Sequence, residues 1–562
     1  MKTFSKYTVP VAVFIIRALF PTDCLAQWAT DPHLNNPVCT LVSNQEKTAI
    51  APDGFGGAYI VWLDGRVSDP DIYAQHMDAT GAVKWAVDGI PVCDANDYQV
   101  SPVIIPDGNG GAIITWADFR NGLDYNIYAQ HLDVNGQMLW GANGKVIHQG
   151  AGDQTHPVIA SDGEGGAIIA WLDQSLLVAR DFTIQAERIA ANGQTLWGIS
   201  SAPVILTDTV GTKSNPAIIS DGNGGAIVAW TDFRSYYNGN TATDIYAQRV
   251  DGTGAIKWSH YGTIVCKAEG NEDFPTLVSV GRGGAIITWQ DKRDDVDQNI
   301  YAQRMSIDGL ALWTKNGIMI CDAVKDQTYP VIVSDQSGGV IIAWNDMRNF
   351  GGSVIYAQRV NGNGITQWVS NGYYVSGGDS NSAANIVTDG QGGAIIACES
   401  YSNLNSDIYA THVDKSSDIV WTSVISNADG SQKIPMLVPD NSGGAIITWE
   451  DYRAVDNIDT YAQHVKANGA LGNSTFTGQQ DFSESAVSVY PNPVVNDLFI
   501  DVSSLSLQEP VEVTLLDLAG RKLKTTSGKS VIRINMTEYK ASSYIVKIVD
   551  GKQVTVKKII KN

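Results

Sequence analysis

The 562-residue sequence has little of what marks several common protein classes. No stretch has the periodicity of a long amphipathic helix, and no segment beyond the N-terminus is apolar for long enough to cross a bilayer. Eight histidines are scattered, and neither the HExxH arrangement of metalloproteases nor the GxSxG arrangement of serine hydrolases occurs. Glycine is abundant, with 55 residues, and the hydrophobic fraction is 44%. This balance favours a globular, turn-rich β protein.

Cysteine is also rare, with six residues in the chain. Four of the six recur at one position of an internal repeat, namely Cys39, Cys93, Cys266 and Cys321. Equivalent positions in successive repeats point the same way, so these thiols are not expected to meet the geometry of a disulfide bond. We therefore expect buried, unbridged thiols, although an oxidising compartment would permit bridges.

Positive charge is scarce in the central part of the chain. The formal net charge is −21, and residues 1–26 carry +2 while residues 487–562 carry +4, which leaves −27 for the residues between them. A body this acidic repels phosphate backbones, so nucleic acid is not an expected partner.

Residues 1–26 have the pattern of a secretory signal peptide. Lys2 and Lys6 precede the apolar run Val9–Phe20, and Cys24–Ala26 supplies small residues ahead of a predicted cleavage before Gln27. The alternative, a membrane anchor, needs a longer uninterrupted apolar run. We therefore expect a mature protein without a transmembrane segment, located outside the cell or on its outer surface.

The stretch GGVIIAWNDMR at Gly338 has close copies in the chain, such as GGAIITWADFR at Gly110 and GGAIITWEDYR at Gly443. Eight Gly-Gly pairs occur 51 to 59 residues apart, beginning at Gly56, Gly110, Gly165, Gly224, Gly283, Gly338, Gly392 and Gly443. Seven of the pairs are followed by tryptophan six residues after the first glycine, and the seventh pair has Cys398 there. Internal repeats of this length indicate a modular architecture.

Each repeat contains four strand patterns: a short strand such as PVIVSD, a buried run, an alternating segment such as VIYAQRV, and a last strand after a second tryptophan. Repeated sets of four antiparallel strands are typical of β-propeller blades. The eighth repeat lacks the second tryptophan, and Trp28 ahead of the first repeat is left over. We therefore predict an all-β fold, an eight-bladed β-propeller over residues 27–466, in which an N-terminal strand closes the last blade.

Residues that most repeats share are interpreted as structural, because a catalytic pair is needed once and a packing solution is needed in every blade. The Asp and Arg that follow the first tryptophan in six repeats are expected to hold a turn or to link blades. Binding residues are then expected where the symmetry fails. The third repeat has Ser175 and Gln185 in place of the Arg and a tyrosine, and the seventh has Ser400 and Ser402 in place of the Asp and Arg. Neutral drift is the alternative at both places.

Two irregular loops are further candidates. Tyr236 and Tyr237 lie among Asn and Thr residues and would suit a surface that stacks on sugar rings. Asp294, Asp295 and Asp297 offer oxygen ligands of the kind that Ca²⁺ prefers. The alternative for both loops is an ordinary solvated turn, and no other cofactor is predicted.

Residues 467–486 are polar and are interpreted as a linker, while residues 487–562 have the short-strand pattern of a small β-sandwich. The segment carries an ordered series of motifs made of Tyr490, Pro491, Asn492 and Pro493, then Asp517, Gly520 and Arg521, and then Lys557, Lys558 and Lys561. With these motifs it closely resembles the type A C-terminal sorting domain of the type IX secretion system of Bacteroidetes-type bacteria. The resemblance implies recognition by that secretion machinery at the outer membrane, with the cargo then released or attached to surface lipopolysaccharide.

The function that fits these features best is a non-catalytic module that binds a glycan or a protein at a propeller face. An enzyme is the first alternative, because DGTGAIKW resembles the docking turns of quinoprotein-type propellers, although the adjacent Cys-Cys pair and the CxxCH motif are missing. A sialidase-like glycosidase lacks its usual Ser-x-Asp-x-Gly-x-x-x-Trp box here. A structural adhesin or spacer is the remaining alternative.

Overall fold

The computed structural model describes residues 27–67, 69–174, 181–197, 202–235, 242–281, 283–294, 296–349, 352–376, 380–402, 405–454, 456–473, 488–490, 494, 496–502, 510–516, 522–540, 542–550 and 553–561. The predicted signal peptide lies outside these residues. The chain divides into two compact units, Met1–Asn473 and Ser474–Asn562. Every regular element among the described residues is a β-strand, which confirms the all-β prediction. None of the described residues belongs to a helix that is long and apolar enough to span a membrane.

In the described part of the first unit, the strands pair into eight four-stranded antiparallel sheets, numbered here in chain order. The first strands are β2 (Gln45–Pro52), β6 (Gln99–Pro106), β10 (Gln154–Ser161), β14 (Lys213–Ser220), β18 (Glu272–Ser279), β22 (Gln327–Ser334), β26 (Ser380–Thr388) and β30 (Gln432–Pro439). The second strands are β3 (Ala58–Asp64), β7 (Ala112–Asp118), β11 (Ala167–Gln174), β15 (Ala226–Asp232), β19 (Ala285–Asp291), β23 (Val340–Asp346), β27 (Ala394–Ser402) and β31 (Ala445–Asp451).

The third strands are β4 (Asp71–Met77), β8 (Asn126–Leu132), β12 (Phe182–Ile189), β16 (Asp244–Val250), β20 (Asn299–Met305), β24 (Val354–Val360), β28 (Asn405–Val413) and β32 (Asp459–Val465). The outer strands of sheets 1 to 7 are β5 (Ile90–Cys93), β9 (Lys145–His148), β13 (Val204–Thr207), β17 (Thr263–Cys266), β21 (Ile318–Cys321), β25 (Tyr373–Ser376) and β29 (Ile419–Ser426). The outer strand of sheet 8 is β1 (Asn36–Cys39), from the start of the described chain. These sheets are propeller-like blades.

The second strands form the centre of each sheet. In β7, β15, β19, β23 and β31 every residue is buried, as expected for strands that are covered on both faces. Neighbouring sheets share hydrophobic clusters; Ile113 and Ala117 of β7, for example, pack with Ile169 of β11. The first strands contact one another in succession, and β2 contacts both β6 and β30. The first strands therefore line the inside of the assembly.

A second series of tryptophans joins each sheet to the next. Trp85 of sheet 1 donates its indole N–H to the Val134 carbonyl, in the turn between the third and outer strands of sheet 2, at 3.1 Å. The same bond recurs for Trp140, Trp197, Trp258, Trp313, Trp368 and Trp421. Trp28, which precedes β1 of sheet 8, donates in the same way to the Ala79 carbonyl of sheet 1 at 3.1 Å. Sheet 8 is thus joined to sheet 1 by the bond that joins every other neighbouring pair.

The turn between the first and second strands is closed by an acid–base pair. In sheet 1, Asp53 accepts backbone N–H groups from Phe55 and Gly57, and its other oxygen meets His76 Nε2 at 3.0 Å. Equivalent pairs join Asp107 to His131, Asp162 to Arg188, Asp221 to Arg249, Asp335 to Arg359, Asp389 to His412, and Asp440 to His464. In these seven sheets a histidine or arginine of the third strand is therefore the partner of the turn aspartate, and sheet 5 has Val280 in place of the aspartate.

The second unit has two sheets and one hydrophobic cluster among its described residues. One sheet contains β33 (Ser488–Tyr490), β34 (Asp497–Asp501) and β37 (Val531–Asn535); the other contains β35 (Val511–Leu516), β36 (Lys522–Gly528), β38 (Ser542–Asp550) and β39 (Gln553–Lys561). Alternate residues such as Leu498, Ile500, Val513 and Leu515 are fully buried in the cluster.

Replacing Trp28 by alanine tests the bond between sheets 8 and 1. The indole is 1% exposed, so Trp28→Ala should lower the free energy of unfolding by about 3 to 5 kcal/mol, as is usual for a buried large side chain. Trp85→Ala is the matched control, because it removes the equivalent bond within the continuous chain. Chemical denaturation of the mature protein measures both. If Trp28→Ala lowers the free energy of unfolding far less than Trp85→Ala does, the N-terminal segment does not hold the two sheets together.

Candidate functional site

A buried aspartate at the end of the second strand holds the loop that follows it in six of the described sheets. In sheet 1, Asp64 accepts the Trp62 indole N–H at 2.8 Å, and the Arg66 guanidinium meets both carboxylate oxygens, at 2.8 and 2.6 Å. The same guanidinium donates to the Asp88 carbonyl in the turn before β5 and lies 3.7 Å from the centre of the Tyr73 ring. The aspartate has no exposed surface. Both oxygens of the Asp64 carboxylate are thus bonded within the protein, and the Trp–Asp–Arg–Tyr network holds the loop.

The network recurs around Asp118, Asp232, Asp291, Asp346 and Asp451. It also reaches the preceding sheet, since Arg66 Nη2 lies 3.6 Å from the sulfur of Cys39 in β1. The five described cysteines are free and buried, as predicted. Burial raises the pKa of the Cys39 thiol to about 12 and that of Cys321 to about 11, so both thiols are unreactive.

The symmetry of the sheets fails on the inside of the assembly. The first strand of each of the eight sheets has a β-bulge near its start. In sheets 1 to 6 and 8 one bulge residue has φ between 49° and 55°, and these residues are Lys47, Ser101, His156, Asn215, Phe274, Tyr329 and Ile434. Such angles are strained for non-glycine residues, and strain of this kind clusters at functional sites. The backbone is thus constant at these positions while the side chain differs in every sheet.

These seven bulge residues line a central cavity of about 860 Å³. Sheets 1 to 4 supply the polar side chains of Lys47, Ser101, His156 and Asn215. Sheets 5, 6 and 8 supply Phe274, Tyr329 and Ile434, and the Phe274 and Tyr329 rings meet edge-on with centroids 5.0 Å apart. Tyr329 remains 54% exposed and Ile434 37% exposed. The bulge residues are therefore polar in sheets 1 to 4 and apolar or aromatic in sheets 5, 6 and 8, where Asn345 and Glu450 also line the cavity.

Side chains from the preceding sheet fix several of the bulges. Glu450 accepts the Lys47 backbone N–H at 2.8 Å, Glu399 accepts that of Ile434 at 2.6 Å, and Gln290 accepts that of Tyr329 at 3.1 Å. Burial raises the pKa of Glu450, an effect that its hydrogen bond from Lys47 opposes. These contacts hold the strained backbone of the cavity wall in place.

The residues that the sequence singled out lie elsewhere. Gln185 is half-buried in β12 opposite Trp171, and Ser400 is buried in β27, where it lines a separate cavity of about 300 Å³. Ser402 is the last residue of β27, and its side chain is outside the description, as are Ser175, Tyr236 and Tyr237. Sheets 3 and 7 are not neighbours, so the structure does not bring Gln185 and Ser400 together. Their role in binding stays a prediction.

The predicted calcium loop is described in part. Asp294 is exposed, and Asp297 accepts the Lys325 backbone N–H at 2.9 Å, while Asp295 lies outside the described residues. Ca²⁺ binding there stays a prediction. In the second unit, Tyr490 ends β33, and Lys557, Lys558 and Lys561 lie in β39. The other sorting-motif residues, Pro491, Asn492, Pro493, Asp517, Gly520 and Arg521, lie outside the described part.

Three buried acidic groups of sheet 5, from Cys266, Glu272 and Asp291, have their ligand atoms within 4.8 Å of one another. The Arg293 guanidinium already occupies the place beside Asp291 that a metal cation would take, at 2.6 Å. The position of Glu272 is glutamine in five other sheets, where the amide N–H₂ donates to backbone carbonyls, as Gln99 does to Ala95. Neither oxygen of Glu272 receives a hydrogen bond. Burial without a hydrogen-bond partner favours the neutral form of the Glu272 carboxyl group over the charged form.

The bulge residues had a signal in the sequence that the repeat comparison passed over. In six repeats a proline stands eight residues before the Gly-Gly pair, and the residue just before it is different each time: Ser101, His156, Asn215, Phe274, Tyr329 and Ile434. A variable position next to a constant one is typical of a binding surface on a repeated frame.

Substituting Glu272 tests its protonation. Burial, with Asp291 and Asp244 nearby, raises the pKa of Glu272 from 4.5 to about 9. The folded protein therefore holds a proton that the unfolded chain releases, so stability relative to Glu272→Gln falls as pH rises from about 4.5 to about 9. We expect the stability of Glu272→Gln relative to the parent to increase by several kcal/mol between pH 4.5 and pH 9, because a difference of one pKa unit corresponds to about 1.4 kcal/mol. Gln327 is the equivalent residue of sheet 6, so Gln327→Glu should make the free energy of unfolding depend on pH in the same way. If the difference in denaturation midpoint between the parent and Glu272→Gln is the same at every pH, Glu272 is not held in its neutral form.

Comparison with known proteins identifies the second unit. Residues 488–562 match the model of the secretion system C-terminal sorting domain family. No curated protein sequence matches the chain. Among solved structures, similar chains include an ulvan lyase of family PL25, with 10% identity, 80% of this chain and 97% of that chain covered, and a TM-score of 0.40.

Two further solved structures are similar over about half of the chain. One is an α-L-arabinanase of Penicillium chrysogenum, with 11% identity, coverages of 56% and 93%, and a TM-score of 0.31. The other is a protein of unknown function from Dyadobacter fermentans, with 10% identity, coverages of 55% and 93%, and a TM-score of 0.34. These likenesses carry no inference about activity. The sorting-domain match confirms the resemblance noted in the sequence: residues 488–562 are a secretion system C-terminal sorting domain, and the protein is exported to the cell surface or the extracellular space.

Proposed function

We propose that this protein is an eight-bladed β-propeller that works outside the cell as a non-catalytic binding module, with its ligand held in the central cavity. The bond from Trp28 to the carbonyl of Ala79, together with the contact of β2 with β30, supports closure of the eight sheets into one ring. The domain order proposed from the sequence is a signal peptide (1–26), the propeller (27–466), a linker (467–486) and a β-sandwich sorting domain (487–562).

One observation carries the proposal: seven sheets have the same backbone bulge, and each of them has a different side chain at that position. A cavity of about 860 Å³ lies in the range of small-molecule and oligosaccharide sites. Its two sides fit the two faces of a sugar ring. The C–H face would pack on Phe274 and Tyr329, and the hydroxyl groups would bond to Lys47, Ser101, His156 and Asn215. A glycan is therefore the ligand class that we favour over a protein segment.

A glycosidase or lyase is the second candidate from the sequence, and the chemistry of the cavity favours binding instead. Glycoside hydrolysis ordinarily uses two carboxyl groups on either side of the bond that breaks. Glu450 is the carboxylate among the described residues that line the cavity, and its Oε1 is already bonded to the Lys47 N–H. The binding experiment below also detects turnover, which would favour the enzyme.

Partners at the cell envelope follow from the second unit. The type IX secretion machinery is the proposed partner of residues 488–562, and the part of the chain ahead of them is the cargo. Whether the cargo is set free or attached to surface lipopolysaccharide does not affect the cavity, which lies wholly in the first unit.

Removing the cavity aromatics tests the binding function. A glycan array probed with the mature protein identifies the ligand, and Phe274→Ala and Tyr329→Ala should each weaken its binding about tenfold, because each removes one stacking ring. Tyr98→Ala is the matched control, since Tyr98 is 48% exposed and lies outside the cavity lining. Absence of glycan binding, equal binding by all variants, or cleavage of the bound glycan would each contradict a non-catalytic glycan site.

Deleting residues 488–562 tests the export route. In a bacterium with a type IX secretion system, the shortened chain should fail to reach the surface and the medium, because it lacks the segment that the machinery recognises. Immunoblots of the periplasmic, surface and medium fractions measure this. Full-length Tyr329→Ala, which should be exported normally, controls for expression and folding. Surface delivery of the shortened chain at the parent's level would contradict the role of the sorting domain.

A further inference from the structure

Sheet 7 has kept one member of the structural network and lost the others. In sheets 1, 2, 4, 5, 6 and 8 an arginine guanidinium covers a tyrosine ring at 3.6 to 3.9 Å. Sheet 7 retains that tyrosine as Tyr409, but Cys398, Ser400 and Ser402 stand in place of the tryptophan, aspartate and arginine. Among the described residues, no cation covers the Tyr409 ring.

The loop that the network holds in the other sheets is held differently in sheet 7. Here β27 continues past Ser400 to Ser402, and Ser400, Tyr401 and Ser402 pair with Asp407, Ser406 and Asn405 of β28. Backbone hydrogen bonds between β27 and β28 thus take over the role that the Asp–Arg pair has in six other sheets. The outer strand changes as well, because β29 has eight residues where the other outer strands have four. The frame of sheet 7 is therefore complete without an arginine.

The space beside Tyr409 is a cavity of about 300 Å³ between sheets 6 and 7. Tyr409, Tyr374, Ser376, Ser400 and Thr422 are among the residues that line it. The Ser376 hydroxyl accepts the Cys398 S–H, and the Thr422 hydroxyl is bonded to that of Thr411 at 3.1 Å. Asp407 is half-buried and is paired in register with Ser400. Burial raises the pKa of Asp407, and burial together with the nearby Asp407 carboxylate raises that of Tyr409.

We propose that this cavity binds the guanidinium group of a ligand in the position that arginine occupies in six other sheets. The Tyr409 ring supplies the negative face on which a planar cation stacks. The hydroxyl oxygens of Ser400 and Thr422 can accept its N–H groups, and Asp407, which is in register with Ser400, supplies the opposite charge. The site lies between sheets 6 and 7, away from the bulge residues of the central cavity, so it is independent of the glycan site.

The experiment compares N-ethylguanidinium with N-ethylurea, which has nearly the same shape and no charge, by saturation-transfer NMR titration of the mature protein. The guanidinium should bind about two- to thirtyfold more tightly than the urea, the range that a cation over an aromatic ring gives. Equal binding of the two probes, or tighter binding of the urea, would overturn the proposal.

Three variants locate the site. Tyr409→Leu removes the ring and should abolish the preference for guanidinium. Ser400→Met fills the cavity but keeps Tyr409, so it should block the guanidinium even if Tyr409→Leu fails to fold. Tyr128→Leu in sheet 2, where Arg120 already covers the ring at 3.9 Å, is the matched control and should bind like the parent. Guanidinium binding that persists in Ser400→Met, or that is lost in Tyr128→Leu, would place the cation elsewhere and overturn the assignment.

Discussion

The first unit depends on a carboxylate that is buried at the end of the second strand and fully occupied by donors. Asp346 accepts the Trp344 indole N–H, both arms of the Arg348 guanidinium and the Arg348 backbone N–H. Taking one partner away leaves a buried charge or donor unpaired, which costs more than the pair contributes. Six sheets keep the whole network, and sheet 7 replaces three of its members together with Cys398, Ser400 and Ser402. Sheet 3 keeps only the tryptophan and the aspartate, and there His148 lies 3.4 Å from Asp173 in place of the arginine.

Much of the strand arrangement could be predicted because the same pattern of strands, Gly-Gly pairs and tryptophans recurs in nearly every repeat. The four-strand pattern followed from the spacing of the Gly-Gly pairs and the two tryptophan series, and the pairing of β1 with β32 agrees with the strand that Trp28 implied. The resemblance of the C-terminal segment to a sorting domain rested on short ordered motifs, and the family match bears it out. The propeller count and the domain limits remain predictions.

The cavity wall could not be predicted in the same way. A residue before proline ordinarily prefers an extended backbone, so nothing in the sequence indicates the left-handed angle of Tyr329 or Ile434. That angle depends on contacts between sheets, such as the bond from the Ile434 N–H to Glu399, which join residues far apart in the chain. Ser400 shows a related limit: its departure from the repeat was visible, but the cavity beside it depends on how sheets 6 and 7 pack.

The strand that completes sheet 8 has a consequence for how the molecule forms. The Trp28 backbone N–H bonds to Asn473, 445 residues later, and Arg453 bonds to the carbonyl of Leu34. Contacts this distant in sequence carry a large loop-closure entropy and form slowly. Sheets 1 to 7 can assemble from neighbouring segments, whereas sheet 8 must wait until its last strand is available. We therefore expect the joining of the two ends of the first unit to be the last step of its folding, with the edges of β32 and β1 open to pairing with other chains until then.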